Sequence, residues 1–300
     1  MSQTVRSDMQ QRLLEGAARE ARSRVGPVER FYNFPWWALV MVVTGVLIAL
    51  GIAADQIYSD IFGKLQAGIA MTLRVAGTAY VCAILIGLTV GMIRSSTPQP
   101  RSGIAGRLGS LAHLLLYNLA SLYVAIMRGL PVLIVLLIFA FVIVPGVRKW
   151  INDLLGTSLS FRGSSWESAV IALSFTYGAF LSETFRAGIQ SIDPGQTEAA
   201  RSLGMTWFQS MRFIVLPQAV RRILPPLGND LVAMIKDSSL VSILGVRDIT
   251  QIAKVSSGAS FRYLETYSVA AMLYLLLTFV GMLGVGFVER RNRNHPGRGD

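Results

Sequence analysis

Residues 36–54, 75–93, 129–147 and 266–288 contain no charged side chain, over runs of 19, 19, 19 and 23 residues. An apolar helix of about 20 residues crosses the hydrocarbon core of a bilayer. In lipid every backbone N–H and C=O must be satisfied within the protein, so such runs fold as helices or as strands of a closed barrel. The chain lacks the ten-residue dyad alternation of a barrel. It therefore reads as an all-α polytopic membrane protein. Composition agrees, because 52% of the residues are hydrophobic and only 15% charged, against about 25% charged in soluble domains.

The sparse reactive residues exclude several functions. The one cysteine, Cys82, lies inside an apolar run, so no internal disulfide or multi-cysteine metal cluster can form. His113 and His295 are the only histidines, which leaves little for a metal site, and none is expected. Neither Gly-x-x-x-x-Gly-Lys-Ser/Thr nor Gly-x-Gly-x-x-Gly occurs, so the chain has no motif to bind ATP or a dinucleotide. The first 35 residues are polar and carry six Arg, unlike a cleavable signal peptide. Residues 36–54 then read as a retained first span.

Spans are expected near 36–54, 67–93, 130–146, 167–187, 228–246 and 265–288. The apolar stretch 108–127 contains Ser110, Asn118 and Ser121. It is read preferentially as a helix lying along or shallowly within the membrane, with one long kinked helix as the alternative. Lys and Arg in short loops favour the cytoplasm. With the N-terminus inside, the cytoplasmic segments hold 18 basic residues and the opposite loops seven. Both termini are thus expected in the cytoplasm, which requires an even number of spans. The net charge of +11 accordingly reports topology and attraction to anionic headgroups, with no nucleic-acid partner implied.

Residues 191–230 interrupt this pattern with local start and stop signals. Asp193-Pro194 begins a helix, since Pro is tolerated in its first turn. Glu198 lies near the positive end of that helix, and Gly204 suits the left-handed position that ends it. Thr206 and Gln209 form a capping box for a second helix, on which Trp207, Phe208, Met211 and Val215 are expected on one face. Pro217 and Pro225-Pro226 are expected to stop the helices. The aromatic face could lie on the protein's own spans. The small residues Ala199, Ala200 and Gly204 equally admit the close approach of a partner protein.

Glu198-Ala199-Ala200 with Gly204 and Ile214-Val-Leu-Pro217 resembles the EAA loop in the membrane subunits of binding-protein-dependent ABC importers. Arg128-Gly-Leu-Pro131, Glu183-Thr-Phe-Arg186-Ala-Gly-Ile-Gln190, Leu216-Pro-Gln-Ala219, Leu224-Pro-Pro-Leu-Gly-Asn229 and Lys236-Asp-Ser-Ser-Leu240 narrow the resemblance to the histidine/glutamine type of permease, across residues 67 to 285. It implies a type I importer transmembrane domain in the bacterial inner membrane. The partners implied are two ATPase subunits that bind ATP and Mg, an external substrate-binding protein, and a second permease in a homo- or heterodimer. Glu198, Ala199, Ala200 and Gly204 would contact the ATPase. The chain itself would be no enzyme and hold no cofactor. The expected organisation is a cytoplasmic tail at 1–35, an extra span and external loop at 36–66, a permease domain at 67–288 with its coupling loop at 190–228, and a basic tail at 289–300. The extra first span departs from the family's usual five. Leu130 stands where Thr is often found, and Ser238 where Thr is frequent after Lys-Asp.

Ionisable residues inside a membrane usually face protein or water. Glu183, Lys236, Asp237 and Ser238 are candidates for a path that offers both charges to a zwitterionic amino acid. Lys236 paired with a neighbouring carboxylate, and Asp230 and Asp237 lying near the membrane surfaces, are the structural alternatives. Arg128 is a candidate gate or a headgroup anchor, and Asn229 a candidate cap for the span after it. Gly87, Gly91, Gly281, Gly284 and Gly286 are expected at helix contacts. The rival functions are an ion-coupled secondary transporter of small polar solutes, a membrane enzyme using Glu183 and Asp237 as acid and base, and a scaffold.

Overall fold

The computed structural model describes residue 32 and residues 36–100, 102–158 and 165–293. The N-terminal tail before Tyr32 and the end of the basic C-terminal tail lie outside the described residues. The described residues are helical, with no strand among them. The chain divides into two compact units, one ending at Ala54 and one beginning at Asp55. In the first unit, α1 covers Trp36–Ala54, the range expected for the first span, of which Val42–Ile52 counts as a shorter apolar helix and not as a candidate span among the described residues.

The second unit opens with α2 (Gln56–Leu65), whose N-terminus is held by Asp55 Oδ1 accepting from the Ile57 amide at 2.7 Å. A short tight turn at Gln66–Gly68 leads into α3 (Ile69–Ser95). Leu65 and Ile61 are buried, so α2 belongs to the same packed unit as the later helices. That unit thus starts at residue 55, ahead of the boundary at 67 expected from the sequence.

The order continues with α4 (Ile104–Gly129) and then α5 (Val132–Ile138), which passes through a wide turn at Phe139–Ile143 into α6 (Val144–Leu155). Next come α7 (Trp166–Gln190), α8 (Pro194–Ser202) and α9 (Trp207–Ser210), followed by a second wide turn at Met211–Val215. The chain closes with α10 (Leu216–Asp237), a tight turn at Ser238–Leu244, α11 (Ile249–Ser260) and α12 (Tyr263–Arg293).

Helix α7 is the centre of the unit, packed against α3, α4, α5 and α10. Its polar residues are spent inside the protein: Ser174 Oγ donates to the carbonyls of Val170 at 2.6 Å and Ala79 at 3.3 Å. Small residues set the spacing. A Cβ on Gly87 would lie 2.7 Å from Leu181 Cβ, and one on Gly91 would lie 2.8 Å from the Ser182 carbonyl oxygen. Across α10 and α12, a Cβ on Gly281 would meet Val232 at 3.3 Å, whereas Gly284 and Gly286 face open space. The expected contacts therefore hold for Gly87, Gly91 and Gly281 and fail for the other two.

Among the described residues, four helical segments are long and apolar enough to cross a membrane: Gln56–Ser95, Ile104–Gly129, Val132–Leu155 and Tyr263–Glu289. Residues 108–127 thus meet the requirement for a span, and the chain is extended at Leu130-Pro131, so no single kinked helix joins this segment to the next. The expected spans at 167–187 and 228–246 fall outside that set. Burial explains the first, since a helix surrounded by protein needs no apolar perimeter. The second is divided, because α10 ends at Asp237 and a tight turn follows.

Asp248 caps α11, accepting from the Gln251 amide at 2.8 Å and from the Tyr274 hydroxyl at 3.0 Å. It is fully buried, and burial lifts its carboxyl above the usual carboxylate range, with hydrogen bonds from Gln251, Tyr274 and Thr250 opposing the shift. The folded chain then holds this proton more tightly than the unfolded chain. The contribution of Asp248 to stability falls as pH rises through the ordinary carboxylate value, about 4, and levels off above the raised one. Asp248→Asn keeps the cap and removes this fall, which melting curves of the detergent-solubilised protein across that window will show. Asp248→Ala loses the cap and the bond from the Tyr274 hydroxyl, which keeps Thr250 Oγ1 at 2.9 Å, and costs about 0.5–2 kcal/mol.

Candidate coupling and translocation site

Residues 191–215 form a compact helical insert between α7 and α10. Asp193 has extended-type ψ of 125° and accepts from the Gly195 amide through Oδ1 at 2.8 Å, with Pro194 in the first turn. At the other end of α8 the Met205 amide donates to the Ala200 carbonyl at 3.1 Å and the Gly204 amide to Arg201 at 2.9 Å. Gly204 has φ +78°. This double closure is a Schellman motif, whose left-handed residue is usually Gly. The capping box also forms: Thr206 N–H donates to Gln209 Oε1 at 2.8 Å, and Gln209 N–H to Thr206 Oγ1 at 3.3 Å.

The four residues expected to meet an ATPase are not equivalent. Glu198, Ala199 and Gly204 are exposed, whereas Ala200 is 1% exposed and packs inside its own chain. Leu203 and Phe213 add exposed apolar surface at 82% and 64%, and no periodic signal in the sequence marks either. The expected single face of Trp207, Phe208, Met211 and Val215 is divided where it is described, the Trp207 side chain lying outside the described residues: Phe208 is exposed and Val215 buried. The wide turn at Met211–Val215, in which the Leu216 amide reaches back to the Met211 carbonyl, shifts the register between them.

Pro225 and Pro226 lie within α10 and do not end it, and Asn229 sits inside the same helix without capping it. Tertiary packing holds that helix together. Ala219 and Ile223 are buried beside α7, where a Cβ on Gly188 would clash with Ile223, and one on Gly228 would clash with Val285 of α12.

The polar residues proposed for a substrate path do not converge on one point. Glu183 Oε1 accepts from Arg94 Nη1, and Oε2 accepts from Arg186 Nε at 2.9 Å and Nη2 at 2.6 Å. Tyr177, six residues or about 9 Å earlier on α7, donates its hydroxyl to Asp237 Oδ2 at 2.8 Å. Ser238 is fully buried, its hydroxyl bonded to the Ile235 carbonyl at 2.7 Å. Lys236 is exposed and forms no ion pair among the described residues, which removes the carboxylate pairing offered as its structural alternative. The Arg128 guanidinium lies 5.7 Å from the Phe180 ring centre. Among the described residues no group of three or more His, Cys, Asp and Glu could hold a metal ion.

Residues 103–294, which include the capped insert and the polar positions around it, match the family of binding-protein-dependent transport system inner membrane components. The chain belongs to this family. Among curated relatives of this inner membrane component, the arginine transport system permease protein ArtQ of Bacillus subtilis is 31% identical, over 76% of this chain and 92% of the relative. The glutamate/aspartate import permease protein GltK of Escherichia coli is 34% identical, over 75% of this chain and 91% of the relative. A solved amino acid ABC transporter with histidines has a chain that superposes with TM-score 0.60 at 32% identity, covering 78% of this chain and 95% of that one. The fold is therefore that of an ABC transporter membrane subunit, as the motifs around 183–240 implied.

Proposed function

We propose that this family member is the permease subunit of an ATP-driven importer for a polar amino acid, working with two ATPase subunits, an external binding protein and a second permease. The observation that carries this reading is the insert, a doubly capped helix that follows α7 after three residues and is linked to α10 through α9 and the wide turn at Met211–Val215. A short helix fixed at both ends transmits a push to the helices it connects. In this reading the exposed Glu198, Ala199, Leu203 and Gly204 meet the ATPase, which supplies the ATP and Mg chemistry. Both termini and the insert lie in the cytoplasm, with six spans including α1 and with α4 lying along the membrane, since Arg94 at the end of α3 bonds Ser121 well inside α4. Relatives of similar identity are named for arginine and for glutamate/aspartate, side chains of opposite charge, so discrimination rests largely with the binding protein.

The test is reconstitution. Proteoliposomes holding the permease and ATPase, with binding protein outside, take up amino acid only with ATP. Uptake by the permease alone driven by an ion gradient would overturn the reading in favour of a secondary transporter. Lys236, exposed and without an ion-pair partner among the described residues, is the best-placed cation for a substrate carboxylate. Lys236→Ala is expected to lower kcat/KM for uptake about tenfold with the ATPase still bound. Unchanged kinetics would remove Lys236 from the path.

A further inference from the structure

We propose that Glu183 is a positioning residue: with Arg94 and Arg186 it forms an ionic clamp that makes the insert-side ends of α3 and α7 and the Ser121 turn of α4 move as one body. The inference rests on the permease reading and assigns Glu183 a role other than substrate contact. Both carboxylate oxygens are already engaged, Oε1 by Arg94 and Oε2 twice by Arg186. The cluster continues on either side. Arg94 Nε donates to Ser121 Oγ of α4 at 3.2 Å, and Arg186 Nη1 donates to Gln190 Oε1 at 2.7 Å. Gln190 Nε2 reaches the Ser95 carbonyl at 3.5 Å, and Arg222 Nη1 donates to the Ser191 carbonyl, tying α10 to the end of α7. The Arg94 and Glu183 side chains are largely buried, at 15% and 19% exposure.

The clamp lies one turn beyond the tight contacts of Gly87 and Gly91 with α7. Backbone contact keeps α3 and α7 together through the middle of the unit, and the ionic cluster keeps them together where the insert joins. Two guanidiniums share a single carboxylate, so removing its charge leaves two like charges facing one another in a poorly solvated place. The ends of α3 and α7 would then part, and a push from the insert would be absorbed there before it reached α3 and α4.

The experiment uses the assembled permease–ATPase complex in proteoliposomes with binding protein. Glu183→Gln is expected to assemble normally and to keep its basal ATPase rate and its KM for uptake, each within about twofold, while the maximal uptake rate falls about tenfold. A role in the substrate path would instead raise KM. The exchange Arg94→Glu with Glu183→Arg restores one acid between two bases. It is expected to recover uptake that each single change abolishes, which neither a substrate contact nor a site intolerant of any change would allow. A raised KM in Glu183→Gln, or a double exchange no better than either single change, overturns the clamp. Failure of the unaltered complex to couple uptake to ATP would overturn the permease reading itself.

Discussion

Gly204→Leu is expected to abolish ATP-driven uptake and to release the ATPase from the permease while the permease remains in the membrane. Two effects combine at this position. The backbone has φ +78°, which costs an ordinary L-residue about 1–2 kcal/mol, and the glycine faces open space in the isolated chain, so a new side chain would project into whatever docks there. Gly204→Asn separates the two, because Asn accepts the left-handed conformation yet still adds a Cβ and an amide. We expect Gly204→Asn to keep the melting temperature and to lose ATPase binding nearly as fully as Gly204→Leu. Glu198→Lys provides an independent check. The reversed charge costs the short helix at most about 1 kcal/mol through its dipole, so a tenfold or greater loss of ATPase capture in a pull-down would report a contact with the partner. Normal capture and uptake in all three variants would remove the insert from the coupling role.

What was legible in the sequence is what is encoded locally. Asp193-Pro194, Gly204 and the Thr206/Gln209 box each act within a few residues, and each forms the cap its spacing implies. The failures all involve distance. Pro225-Pro226 signals a helix end by local chemistry, but contacts with α7 and α12 hold α10 together through both prolines. The wide turns at Phe139–Ile143 and Met211–Val215 have no composition of their own, and the second of them divides the expected aromatic face. Polarity along 167–187 hides how deeply α7 is buried, because its hydroxyls are satisfied by neighbouring backbone. Glu183 shows the limit most clearly. Its cost in a membrane was apparent from sequence, but its partner Arg94 lies 89 residues away, beyond the reach of any periodic or motif argument.

Two glycines of α3 provide a matched pair with opposite expected outcomes. Gly→Ala within a helix is worth about 1 kcal/mol in favour of Ala when nothing else changes. Gly77 faces open space, so Gly77→Ala should leave the melting temperature of the solubilised permease unchanged or slightly higher. At Gly91 a Cβ would lie 2.8 Å from the Ser182 carbonyl oxygen and 2.9 Å from Phe185 Cβ. Neither neighbour is the free end of a flexible side chain, so relief requires α3 and α7 to move apart along their shared contact. Overpacking of this kind costs about 1–3 kcal/mol, which outweighs the gain in helix propensity, and Gly91→Val should prevent accumulation of folded protein. Because α7 also contacts α4, α5 and α10, separating it from α3 disturbs the centre of the unit. A Gly91→Ala melting temperature equal to that of Gly77→Ala would mean that the α3–α7 contact is looser than these distances, and the ionic clamp one turn away would then have no rigid pair to complete.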